Sequence, residues 1–211
     1  MAKIIVGGCS FSDRRYGIKP WGETVADRYN CEYIHEAASA GSNYRIWRKL
    51  TAHIMNQTIS SDDIIIVQYT LVDRKESWSP LIHVEYELEQ ISEPFDNGTL
   101  IRLTPHFDQF AKNKYEKQLA LCHNYFSNHK YNLECFWTQH YMFKEMCAKN
   151  NITVRYLNTV YDRENRIEDI DATLALVNPK HRLDSGHLNQ LGHDLTAQLI
   201  IQSLGQSIVP N

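Results

Sequence analysis

The stretch IIIVQYT (residues 64–70) sets four β-branched or apolar residues in a row before a glutamine, a tyrosine and a threonine. A strand with one wet face alternates polar and apolar residues. A continuous apolar run of strand length instead suits a strand covered on both faces, as in the middle of a parallel sheet. Upstream of its Asp62-Asp63 lead-in, Ile46, Leu50 and Ile54 recur at four-residue spacing and predict a helix from about Ser42. Before that come the turn AGSN (residues 40–43), the alternating CEYIHEA (31–37) and WGETVADRYN (21–30), whose Trp21, Val25 and Tyr29 share one helical face. The chain begins with a short buried strand at residues 4–6 that stops at Gly7-Gly8. Downstream, Leu133, Phe136 or Trp137, His140, Phe143 and Cys147 form a helical stripe ending at Asn150-Asn151. ITVRYL (152–157) reads as a further buried strand, and a last helix runs from near His187 through Leu191, Leu195, Leu199 and Leu204.

Strands alternating with helices predict an α/β fold, a three-layer α/β/α sandwich around a parallel sheet with right-handed crossovers. Residues from about 74 to 115 break the rhythm. HVEYELE (83–89) alternates, and Asn97-Gly98 suits a turn before another strand-like run, so an inserted β-hairpin or lid segment is expected there. The 211 residues hold no linker or low-complexity run and are read as a single domain.

Composition narrows the function. With 43% hydrophobic and 22% charged residues and a formal net charge of -3, the chain offers no basic stripe for a phosphate backbone, so nucleic acid is not an expected partner. The apolar runs are too short to span a bilayer, and MAKIIVGG lacks a signal peptide's apolar core, which points to a cytoplasmic location. Five cysteines without a CxxC pair suit free thiols. Nothing in the composition decides between a monomer and a homo-oligomer.

In an open α/β sheet, ligands bind at the carboxyl ends of the strands. Three distant segments converge on that edge here: GGCSFS (7–12), AGSN (40–43) and LDSGHLNQLGHD (183–194). Ser10 follows a strand, where a hydroxyl can be exposed and a backbone N–H offered to an oxyanion. Asp184 and His187 are three apart, which lets a carboxylate hold one imidazole nitrogen while the other faces outward as a base. Each also has a plain alternative: Ser10 or Ser12 as a turn or cap residue, Asp184 as a helix cap, His187 on the surface. Cys9 is a second candidate nucleophile. His181, Asp184, His187 and His193 could together be read as metal ligands, although their spacing matches no common zinc motif. His193 alone reads as structural, and His140 as a core histidine. The insert's Trp78, Tyr86, Phe95, Phe107 and Phe110 suit either a pocket lining or the insert's own core.

In combination these blocks resemble the SGNH, or GDSL-like, hydrolases. The family's first block corresponds to Gly8-Cys9-Ser10-Phe11-Ser12, the second to Ala40-Gly41-Ser42-Asn43, and the last, DxxH leading into a helix, to Asp184-Ser185-Gly186-His187. The resemblance implies a flavodoxin-like SGNH fold and ester hydrolysis through an acyl-enzyme on Ser10. His187 is then the base, Asp184 its orienting group, and the Ser10 and Gly41 N–H groups form the oxyanion hole. It implies no metal and no cofactor, and a small or carbohydrate-borne ester as substrate. The family's oxyanion asparagine after the third strand is missing from VQYTLVDR (67–74), and Asn43, or less directly Gln68, is expected to replace it. Arg74 is a candidate for a polar or anionic substrate group. A catalytically weak or inactive binding module on the same fold is the competing reading.

Overall fold

The structure is a computed structural model that describes residues 1–14, 17–79, 92–95, 98–103, 114–159, 164, 166–167, 169–173 and 178–205. Five parallel strands form its central sheet: β1 (Lys3–Gly7), β2 (Glu32–His35), β3 (Ile64–Tyr69), β7 (Thr153–Asn158) and β8 (Ile170–Asp171), in the order β2-β1-β3-β7-β8. After β1 the chain builds β2 on one side and then crosses back to build β3 on the other. The order therefore reverses between β1 and β3, and the carboxyl ends of these two strands flank the crevice where such sheets bind ligands.

The run at residues 64–69 is buried along its whole length, as a central strand requires. Its side chains part by the two-residue strand period. Ile65 and Val67 join Ile5 in a core with α2 (Asn43–Met55) and α4 (His129–Lys149), through Ile46, Trp47, Leu50, Phe136, Phe143 and Cys147. Ile64 and Ile66 join Ile4 and Val6 on the other face, under α1 (Trp21–Arg28) and α5 (Gln190–Leu204), through Trp21, Val25, Ala197, Ile200 and Leu204. The three layers predicted from the sequence are thus present. Asn150 and Asn151 end α4, the latter at φ 54°, and Asn189 rather than His187 starts α5 by accepting the Gly192 N–H at 3.0 Å.

The inserted segment departs from expectation. Strands β4 (Lys75–Ser79), β5 (Ser92–Phe95) and β6 (Gly98–Leu103) form a separate antiparallel sheet ordered β4-β6-β5, so the hairpin gains a third strand. The alternating run 83–89, Asn97, Tyr86, Phe107 and Phe110 lie outside the described residues, as do the side chains of Trp78 and Phe95. Helix α3 (Lys114–Phe126) was not anticipated. Among its described side chains the buried ones are Ala120 and His123, which make no apolar stripe. Among the described residues no helix is long and apolar enough to cross a membrane.

Two core histidines make the fold acid-sensitive. Burial holds His140 and His193 down to about 4, below the ordinary imidazole value near 6.5. The unfolded chain therefore binds protons that the native state refuses as the pH falls from about 6.5 towards 4, and stability drops through that window. Urea unfolding should lose roughly 2–3 kcal/mol between pH 7 and pH 5; an unchanged midpoint over that range would contradict the assignment.

Candidate active site at the strand switch

The end of β1 runs into Gly8-Cys9-Ser10-Phe11-Ser12. The Ser12 N–H returns to the Cys9 carbonyl at 2.9 Å and closes a tight turn with Ser10 and Phe11 at its tip. Gln68, one residue from the end of β3, is fully buried and faces this turn. Its Oε1 accepts the Cys9 N–H at 2.9 Å, the Cys9 thiol at 3.2 Å and the Ser12 hydroxyl at 3.1 Å, and its Nε2 donates to the Tyr69 carbonyl. These bonds separate the two serines. Both are buried, but Ser12 holds the turn, whereas Ser10 at the tip keeps 8% exposure and its hydroxyl has no partner among the described residues. Cys9 is likewise buried behind the turn, with its thiol directed to Gln68. Gln68, expected as a possible stand-in for the oxyanion asparagine, is fully buried in the structure and supports the turn.

The loop after β2 forms the adjoining wall. The Ala38 N–H reaches the Gly8 carbonyl at 3.2 Å, and a Cβ on Gly41 would lie 2.9 Å from both the Gly8 and Ala38 carbonyl oxygens. Only glycine permits that approach. The Gly41 N–H itself is bonded to the Ala38 carbonyl at 3.0 Å, so in this arrangement it turns away from an oxyanion position. Ser42 caps α2 by accepting the Arg45 N–H at 3.1 Å. Asn43 does something else: its Nδ2 donates to the Thr70 carbonyl at 3.0 Å, and its Oδ1 accepts the Thr70 N–H at 2.9 Å. This paired contact clamps the start of α2 to the chain leaving β3. Arg74 extends the line, its guanidinium donating to Thr70 Oγ1 at 2.8 Å.

The third segment arrives from the other end of the chain. The His187 ring lies 5.4 Å from the Phe11 ring, centroid to centroid, which brings the last loop onto the turn carrying Ser10. Gln190 exchanges bonds with the Lys19 backbone at 3.1 and 3.4 Å, and His193 Nδ1 accepts the Trp21 N–H at 3.1 Å, so the start of α5 is tied to the start of α1. That bond makes His193 structural. The spacing of Asp184 and His187 predicts a carboxylate on Nδ1, but the structure places Ser185 Oγ there, at 3.2 Å. The reason is local: the Gly186 N–H closes a turn onto the Leu183 carbonyl at 2.9 Å, and Asp184 stands exposed at its tip with no hydrogen-bond partner among the described residues. Ser185 and Phe11 are the residues that sequence reasoning missed. A serine beside a recognised acid and a phenylalanine in an apolar turn give no periodic or motif signal. Among the described residues no group of three or more His, Cys, Asp or Glu side chains converges as metal ligands.

Replacing Gln68 by leucine strands the Cys9 N–H and the Ser12 hydroxyl without an acceptor. The expected loss is about 2–4 kcal/mol in urea unfolding, and wild-type stability in that variant would refute the supporting role.

No family model and no curated protein matches this sequence. Solved structures do match it in shape. A protein assigned to the G-D-S-L lipolytic family from Desulfitobacterium hafniense DCB-2 superposes with a TM-score of 0.55 at 10% identity, over 97% of this chain and 100% of that one. The psychrotrophic esterase EstA from Pseudoalteromonas sp., in a form inhibited by monoethylphosphonate, aligns over 99% of both chains at 10% identity, with a TM-score of 0.44. The parallel sheet, its strand order and the first of these likenesses together show that the chain has the fold of the G-D-S-L, or SGNH, hydrolases.

Proposed function

We propose that the protein is a serine hydrolase of carboxylic esters, with Ser10 as nucleophile and His187 as general base. The observation that carries this reading is the contact between Phe11 and His187, which joins the serine turn after β1 to the histidine loop before α5 at the strand switch. Ser10 Oγ attacks the ester carbonyl carbon while its proton passes to His187 Nε2; the leaving alcohol takes that proton as the C–O bond breaks. Water then attacks the acyl-serine, giving a proton to the same nitrogen, and Ser10 is restored as the acid departs. With Nδ1 protonated and bonded to Ser185, Nε2 is the acceptor that this sequence of transfers needs. Ser185 is thus the positioning residue, and Asp184 contributes only its nearby negative charge.

The tetrahedral oxyanion is held by the Ser10 N–H at the tip of its turn and by the second N–H of the Asn43 amide. Gly41 supplies the close approach of the two loops, and its own N–H joins the hole if the Ala38 turn opens. A missing donor costs about 2.7–4 kcal/mol of transition-state stabilisation, which slows such an enzyme without abolishing it. The substrate is a small or carbohydrate-borne ester, and the chemistry calls for no cofactor. The competing reading, a binding module on the same fold, is favoured by the exposed Asp184 and the engaged Gly41 N–H.

The deciding experiment is hydrolysis of p-nitrophenyl acetate with fluorophosphonate labelling located by mass spectrometry. Turnover and a label on Ser10, both absent in Ser10→Ala, are expected; folded wild type that is neither active nor labelled would leave the binding module standing. Ser185→Ala should lower kcat by about tenfold or more with KM little changed, Ser185→Thr should restore it, and Asp184→Asn should cost less than Ser185→Ala. The reverse order would return the orienting role to Asp184.

A further inference from the structure

Beside the crevice, between the first turns of α2 and the start of β4, lies a cavity of about 490 Å³ lined by Tyr44, Arg48, Lys75 and Glu76. Small-molecule sites commonly measure about 300–1,000 Å³. It adjoins the candidate active site through the chain itself: Tyr44 follows Asn43, and Lys75 follows Arg74, the two residues bonded to Thr70.

The charges in this cavity do not cancel. Arg48 grips Glu76 with two bonds, Nε to Oε2 at 3.3 Å and NH2 to Oε1 at 3.0 Å, which neutralises the acid. Burial pushes the Tyr44 phenol up to about 12, so it stays uncharged near neutrality, and its hydroxyl is engaged by Cys135 and Gln139. Lys75 has no ion-pair partner among the described residues. Glu76 beside it is taken by Arg48, and Asp73, two residues before it, is held by His129 Nδ1 and by Asn132 Nδ2, each at 2.7 Å. Burial, with the charge of Lys75, moves the His123 imidazole below its ordinary value, and the charge of Asp73 opposes the shift. An ammonium in a concave site, with no ion-pair partner among the described residues, creates a positive potential that attracts anions.

We propose that this cavity is an anion subsite, in which Lys75 Nζ holds a carboxylate, sulfate or phosphate group of the ligand that occupies the neighbouring crevice. In its catalytic form the proposal rests on the ester-hydrolase reading and names the substrate class as esters of anionic molecules. The binding itself requires no turnover.

The test therefore begins with binding. The whole protein, wild type and Ser10→Ala, is titrated by calorimetry with sodium sulfate, sodium phosphate and sodium succinate at constant ionic strength. Saturable binding of at least one anion is expected, weakened about tenfold or more in Lys75→Met and recovered in Lys75→Arg; which anion binds tightest separates the carboxylate from the sulfate and phosphate sources. No saturable binding in the wild type, or equal binding in folded Lys75→Met, overturns the proposal. A parallel assay compares 4-acetoxybenzoate with phenyl acetate, where Lys75→Met should reduce the preference for the charged ester by about tenfold. If neither ester is turned over while Lys75-dependent anion binding persists, the ester-hydrolase reading falls and the anion site remains.

Discussion

One buried side-chain carbonyl organises the working end of this fold. Gln68 Oε1 gathers a backbone N–H, a thiol and a hydroxyl from the turn after β1. A polar group sealed inside a sheet is costly unless its partners are in place, and here each bond satisfies a donor that would otherwise be stranded as well. The turn is thereby fixed against β3, and its two serines acquire different environments. The bonds that make Ser12 a structural residue are the same bonds that leave Ser10 at the tip.

The other walls are set by the same kind of constraint. Gly41 lets one backbone rest on another, Asn43 clamps the first turn of α2 to Thr70, and the loop before α5 is laid over Phe11 while His193 and Gln190 fasten α5 to α1. Each contact joins residues far apart in sequence, and all lie at or beside the point where strand order reverses. A crevice there is a consequence of topology, since loops leaving in opposite directions cannot cover the gap between them. What fills the gap is chemistry: a hydroxyl, an imidazole bonded to a serine, and to one side a cavity with the Lys75 ammonium on its wall.

Most of the architecture was legible in the sequence because it is written in periodicity. The unbroken apolar run at 64–67, the four-residue spacing of Ile46, Leu50 and Ile54, and the stripe from Leu133 to Cys147 each encode burial in residue type, and burial decides layers. Helix α3 escaped because alanine and histidine are the buried ones among its described side chains, and β8 because two residues carry no period. The site was half legible. Ser10, Gly41, Asp184 and His187 stand out as types and spacings, and a glutamine in an apolar strand is conspicuous. Their partners were not readable, because a hydrogen bond depends on ångström-scale placement that spacing along the chain does not specify.

The sequence by itself determined the α/β alternation, the central place of β3, the position of the insert and the three loops that meet at the sheet edge, since these follow from local propensity and hydrophobic pattern. Only the tertiary structure decided what the polar groups do once there. Gln68 became a buttress, Asn43 a clamp, Ser185 the neighbour of Nδ1, and Lys75 a cation with no ion-pair partner among the described residues. Hydrophobic burial is non-directional and can be read from composition along a chain, whereas hydrogen bonds and charge pairs are directional and belong to residues that meet only when the chain is folded.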